Sequence, residues 1–247
     1  MNVEVETYAP SKSRIYTGYT LTVLSILFLL MDACIKFTSS PQVAQTIAQL
    51  GFPMRLTKAI GVLALACTVL YAVPATAVLG SLLLTGYLGG AIALHLRVDN
   101  PLFTHILFPI YVALFIWGGI WLRDRRLQEV FPITARSGEP VSPRKFVVTG
   151  YILTTISALL VLLTAVVKFT FVLKPGSPPP IFPMHHIHLL GYIEIVCTVL
   201  YLFPATTFLG ALLLTAYMGG ATAVNLQSGE AVLPSLVPVL FSALAWA

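Results

Sequence analysis

Charge is what this sequence has least of: its 247 residues include only fourteen Lys and Arg and nine Asp and Glu, 9% of the chain. Soluble domains carry about a quarter charged residues, so this chain cannot cover a water-facing surface of its size. Lipid must cover the rest, and a mean hydropathy of +0.91 agrees. The net charge of +5 reflects a shortage of acids, not an abundance of bases. A nucleic-acid binder gathers Lys and Arg on a polar face. Here the densest basic cluster, Arg123, Arg125 and Arg126, directly follows an apolar run, as a membrane-flanking anchor does. Nucleic acid is therefore not an expected partner. Cysteine is also scarce. Cys34, Cys67 and Cys197 lie inside apolar runs without C-x-x-C spacing, which predicts buried, inert thiols. No phosphate-cradling loop, nucleophile elbow or H-E-x-x-H occurs, so hydrolytic or nucleotide-dependent chemistry has no visible equipment.

What is present is apolar length. Residues 16–37 form a run long enough to cross a bilayer, which takes about 20 helical residues. It is too long for a signal-peptide core and lacks a clear cleavage site, so it reads as a retained anchor. From Ala59 to Leu94 no residue is charged, a stretch too long for one span. Pro74 near its middle lacks an N–H and clashes with the preceding turn, which predicts helices over 56–73 and 75–96 joined tightly. A fourth run, 102–122, ends before the arginine cluster. Prolines, Gly138 and charges then mark 123–145 as a basic linker.

The pattern repeats. Cys67-Thr-Val-Leu-Tyr-Ala-Val-Pro-Ala-Thr76 matches Cys197-Thr-Val-Leu-Tyr-Leu-Phe-Pro-Ala-Thr206, and Leu82-Leu-Leu-Thr-Gly-Tyr-Leu-Gly-Gly-Ala91 matches Leu212-Leu-Leu-Thr-Ala-Tyr-Met-Gly-Gly-Ala221. Thr17-Gly-Tyr and Lys36-Phe37 return as Thr149-Gly-Tyr and Lys168-Phe169; Pro109 and Trp117 align with Pro238 and Trp246. Shared hydropathy would match Leu with Leu, but it would not keep Cys, Tyr, Pro, Thr and paired Gly in step. The fold expected is an all-α integral membrane protein, a tandem repeat of a four-helix transmembrane bundle with about eight spans. Its parts are an N-terminal arm (1–14), a first unit (15–122), the linker (123–145) and a second unit (146–247). The last helix, from about 233, is short for a full span. Four crossings return the chain to its starting side, so the two units must lie parallel. Lys12, Arg14 and the linker share one side, and the positive-inside rule assigns it to the cytoplasm.

The Gly18…Lys36-Phe37 first helix, the Pro74 hairpin, Tyr87-Leu-Gly-Gly-Ala91 and the ending Trp117-Gly-Gly-Ile-Trp-Leu-Arg-Asp124 together resemble the DoxX-like family of small bacterial membrane proteins. The second copy carries Lys168-Phe169, Pro204 and Tyr217-Met-Gly-Gly-Ala221 but lacks the closing Arg-Asp. The resemblance implies a four-helix unit, a bacterial inner-membrane location and a link to redox or quinone chemistry. It supplies no catalytic residues. A fused pair departs from the family's usual single unit, and fold alone does not establish chemistry.

Ionisable groups in or beside spans are the default candidates for a site. Asp32, Lys36, Lys58, His95 and Arg97 all fall towards the non-cytoplasmic end of the first unit, and Lys168, His188 and Glu194 are their second-unit counterparts in position. Together they could form a polar mouth that binds a ligand; the plainer reading is side chains snorkelling to the interface. Asp32 and Lys36, four apart on one helical face, suit an intrahelical ion pair. Asp32 becomes Thr164 and Ala64 becomes Glu194, while His95 and Arg97 become Asn225 and Gln227, which makes the two units chemically unequal. His185-His-Ile-His188 looks like a metal tract, but no third or fourth ligand is evident, so no metal is expected. Gly86-x-x-x-Gly90 and Ala216-x-x-x-Gly220 are small-residue strips expected to pack within each bundle.

The leading expectation is a non-catalytic accessory or scaffolding subunit whose lipid-facing helices dock to a larger membrane complex, of the electron-transfer kind that the resemblance implies. A quinone-linked redox subunit comes second, and a small-molecule or lipid transporter third. No cofactor motif is evident; quinone or lipid is the ligand class left open.

Overall fold

The computed structural model describes residues 11–38, 40–124, 127–128, 144–170 and 181–246. Most of the N-terminal arm and of the basic linker lies outside them. The described residues form helices and no strand. The first unit contains α1 (Lys12–Phe37), α2 (Pro41–Gln49), α3 (Met54–Ala72), α4 (Ala77–Arg97) and α5 (Phe108–Arg123), the last preceded by one π-helical turn, Leu102–Ile106. The second contains α6 (Arg144–Thr170), α7 (Met184–Leu202), α8 (Thr207–Gln227), α9 (Val232–Ser235) and α10 (Val237–Ala245). Among the described residues, seven helices are long and apolar enough to cross a membrane, counting Leu102–Arg123 as one, and Val232–Ala245 is a shorter apolar helix. The fourth run therefore differs from the expected single helix: it is interrupted at Leu107, next to Pro109, whose ring cannot continue a helix from upstream.

Each proline hairpin closes in the same way. The chain leaves the helix at Val73 or Phe203, and the Thr76 and Thr206 hydroxyls reach back to donate to Leu70 O (2.8 Å) and Leu200 O (2.7 Å). The two arms of each hairpin approach closely because a Cβ at Gly80 or Gly210 would sit 2.2 or 2.1 Å from the Tyr71 or Tyr201 nitrogen. The same tyrosines pin the fourth helix: Tyr71 OH donates to Ile116 O (3.2 Å) and Tyr201 OH to Ala245 O (3.1 Å). Trp117 and Trp246 add indole N–H bonds to the Thr85 and Thr215 hydroxyls (2.9 and 2.8 Å). Buried indole and phenol groups need such partners, because in an apolar medium an unmade hydrogen bond costs ~1–3 kcal/mol. Leu29, Leu84, Ile116 and Ile120 fill the first core, and Val161, Leu214 and Met218 the second.

The small-residue strips do something other than expected. They join the two units to each other rather than packing inside each bundle. A Cβ at Gly89 would lie 1.9 Å from Ala216 O, and one at Gly219 would lie 2.0 Å from Gly86 O. These contacts are mirror images in the repeat, since Gly89 corresponds to Gly219 and Gly86 to Ala216. Gly90 against Ala223 and Gly220 against Ala93 repeat the relation at 3.2 and 3.1 Å. Helices α4 and α8 thus run parallel and touch backbone to backbone, and the units are related as in a two-fold dimer. Phe208 sits edge-on to both Trp117 and Trp246, filling the same seam (5.7 and 5.4 Å). Cys67 and Cys197 are buried as expected, but Cys34 is exposed on α1.

Candidate functional site

The charged groups collect at the end of the bundle where α1, α4, α6 and α8 finish. In the first unit, Lys36 donates to Asp32 Oδ1 and to Asp32 main-chain O, and Tyr87 OH donates to Asp32 Oδ2 (2.6 Å). The Lys36 ammonium also lies 5.7 Å from the centre of the Tyr87 ring. In the second unit, Lys168 donates to Glu194 Oε2 (2.7 Å), Tyr217 OH to the same oxygen (3.3 Å), and the Thr164 hydroxyl to Oε1. Lys168 lies 5.6 Å from the Tyr217 ring centre.

Lysine and tyrosine occupy equivalent positions in the two units; the acid does not. It comes from the first helix in one unit and from the second helix in the other. Where Asp32 stands, the second unit has Thr164, which now hydrogen-bonds the relocated acid. Where Glu194 stands, the first unit has Ala64, fully buried. The lysine–carboxylate–tyrosine grouping is therefore common to both units, although Asp32 against Glu194, and His95 and Arg97 against Asn225 and Gln227, keep their chemistry unequal. The sequence signal was there: of these two aligned positions, each copy holds one acid and one small or hydroxyl residue. Only the fold shows that each acid reaches the lysine at the equivalent position of its own unit.

A charge taken out of water costs several kcal/mol unless it is paired and hydrogen-bonded. Glu194 is the extreme case, with 1% of its side chain exposed, and both of its oxygens are occupied. The first-unit pair is more open, at 29% for Asp32 and 18% for Lys36.

The remaining candidates do not join these triads. Arg97 Nη2 donates to Leu50 O (2.8 Å), at the C-terminal end of α2. Gln227, its repeat counterpart in the second unit, donates to the adjacent Gly51 O (3.1 Å). Together they clamp α2, a nine-residue helix absent from the expectation. Its turn ends in a Schellman arrangement, with Phe52 N donating to Ile47 O, Gly51 N donating to Ala48 O, and Gly51 at φ +62°. Leu50 and Phe52 bury against Leu94 of α4 and Leu226 of α8, so α2 roofs the seam between units. His95 Nδ1 lies 2.7 Å from Asn100 Nδ2, and its ring stands edge-on to His105 (5.3 Å). Lys58 is exposed on α3 and bonds to none of these groups. His188 stacks on Phe169 (5.9 Å), away from the other histidines of its tract. The residues expected at one mouth thus form two triads, one around a sealed Glu194 and one around a partly open Asp32, together with a clamped roof and separate histidine contacts.

The contacts of Gln227 with Gly51, and of His186 with Asp99, place the same end of each unit side by side, as the parallel arrangement requires. Fold and polar groups define a multi-pass helical membrane protein of two fused four-helix units, each holding one lysine–carboxylate–tyrosine cluster. The chain belongs to the DoxX-like family, whose model matches residues 20–119 and again 152–247. No curated protein and no solved structure matches it.

Proposed function

We propose that this chain is a non-catalytic accessory or scaffolding subunit of a larger complex in the bacterial inner membrane, of the electron-transfer kind, with its N-terminus in the cytoplasm. The observation that carries this reading is that the charged groups deepest in the helices are spent on one another. Glu194 has both oxygens occupied, and Lys168 donates both to it and to Thr164 O. Groups so fully paired brace a scaffold; a reactive site keeps a group in reserve for its substrate. The outward faces of α1 and α6, with Val23, Leu27 and Met31 on one and Ile152, Leu159 and Leu163 on the other, are apolar and open to lipid or to neighbouring helices. Lys12, Arg14 and Arg123 at the opposite end support the cytoplasmic assignment. Native mass spectrometry of the protein taken from its own membrane into nanodiscs tests the proposal. The expected result is a complex of fixed stoichiometry with other membrane subunits; a solitary chain throughout would overturn it.

One observation favours a second reading, a quinone-linked subunit. The carboxylate of the first-unit triad is partly open while that of the second is sealed (29% for Asp32 against 1% for Glu194), so a quinone or lipid headgroup could meet the Asp32–Lys36 pair together, whereas in the second unit only Lys168 is open to it. Quinone co-purifying with the wild type and lost from Lys36→Ala supports it. Equal quinone content in both removes Lys36 from that role.

A further inference from the structure

Where the two units meet at the roofed end, Asp99 of the first reaches the start of α7 in the second. Its Oδ1 lies 3.3 Å from His186 Nε2 and 3.8 Å from His185 Nε2, and the ligand atoms of the three residues all lie within 4.8 Å of one another. The two imidazole rings are 4.0 Å apart. We infer that Asp99, His185 and His186 form a binding site for a divalent transition-metal ion such as Zn²⁺, bridging the two repeats.

Three independent features support this. The first is spacing. Ligand atoms about 2.0–2.2 Å from a tetrahedral zinc stand roughly 3.4 Å apart, and Asp99 Oδ1 stands 3.3 and 3.8 Å from the two imidazole nitrogens. A charge-assisted hydrogen bond would draw the pair to about 2.7–2.9 Å. The second is backbone conformation. Asp99 holds φ +52°, the left-handed region, and is the sole non-glycine to do so among the described residues. The repeat fills the same position with Gly229, at φ +81°. Asp is among the few residues other than glycine that take up left-handed backbone, so the turn that ends α4 can carry a carboxylate where the second unit has none. The third is His186 itself. The residue is only 8% exposed, and its Nε2 faces Asp99, so packing holds one donor nitrogen in place beside the carboxylate. His185 and Asp99 are exposed, so an ion has an entry path and water can complete its shell. The nitrogen, nitrogen and oxygen donor set suits Zn²⁺ and its first-row neighbours, not Ca²⁺ or Mg²⁺.

The inference is tested by titrating Zn²⁺ into the full chain in nanodiscs, with any affinity tag removed, by calorimetry and by thermal unfolding. The wild type should bind one ion per chain at micromolar Zn²⁺ and unfold at higher temperature when loaded. His185→Ala and His186→Ala should each weaken binding by at least ~10- to 100-fold, the range seen on losing even an outer hydrogen-bond partner of a ligand. Asp99→Gly should lose binding equally while folding at least as well as the wild type, since it installs the residue the second unit carries there. His188→Ala, stacked on Phe169 outside the cluster, should bind as the wild type does. No saturable binding by the wild type, or unchanged binding in Asp99→Gly, would overturn the site and leave a simple Asp–His contact between units.

Discussion

Asp32→Thr will lower the thermal stability of the protein, and adding Ala64→Glu to the same chain will restore most of the loss. The first change takes the carboxylate from the Tyr87 hydroxyl and from the Lys36 ammonium, which keeps only the main-chain oxygen of residue 32. Breaking a fully buried pair costs ~3–5 kcal/mol. Lys36 and Asp32 keep 18% and 29% exposure, so about 2–3 kcal/mol is the reasonable expectation here. For a chain of this size that is a fall of roughly 5–10 °C. Ala64→Glu alone should also destabilise, since it buries a second acid beside an occupied lysine. Together the two changes rebuild in the first unit the arrangement of the second: acid on the second helix, threonine on the first. A double-mutant cycle should therefore show coupling well above the ~0.5 kcal/mol seen between independent sites. A double variant no more stable than the worse single one would mean that the two triads are not interchangeable.

Gly89→Ala should be more damaging than any other glycine substitution on α4 that leaves the hairpin intact, although alanine is the better helix former by ~1 kcal/mol. Its Cβ would lie 1.9 Å from a main-chain carbonyl oxygen, Ala216 O, and backbone cannot swing aside as a flexible side chain can. Helices α4 and α8 must separate by more than an ångström. In lipid no hydrophobic effect draws helices together, so van der Waals contact along the seam is most of what holds the units. Overpacking usually costs ~1–3 kcal/mol, and a clash repeated along a helix pair belongs at or above the top of that range. Gly150→Ala is the control: nothing lies within 4 Å of its Cβ, and it should be neutral or slightly stabilising. Melting both variants in one detergent settles the matter. Equal melting temperatures would show that the seam is far more yielding than its geometry implies.

These two regions also mark where reading the residues stops short. The duplication, the proline hairpins and the parallel relation of the units were legible because each rests on spacing along the chain or on parity. The glycine strips announced close approach but not the partner, since a small-residue face fits a helix of its own bundle or of another equally well. The moved carboxylate was invisible for a related reason: Asp32 and Ala64 lie on different helices, and only packing brings them to one lysine. Helix α2 is a different kind of omission. Its signals stand in the sequence, with Ser40 capping Val43 N, Pro41 in the first turn and Gly51 closing the last. A search for long apolar runs passes over nine residues of mixed polarity. Asp99 was missed as a partner for the histidine tract because it belongs to the other repeat.

Two neighbouring carbonyls, Leu50 O and Gly51 O, are each held by a different half of the molecule. Any sliding or tilting of one half against the other must stretch one of these bonds while the second keeps its hold. The short helix above the seam therefore acts as a tie whose tension depends on the relative position of both halves. A displacement of that short helix would therefore be felt by both halves at once, and through them by the α4–α8 contact.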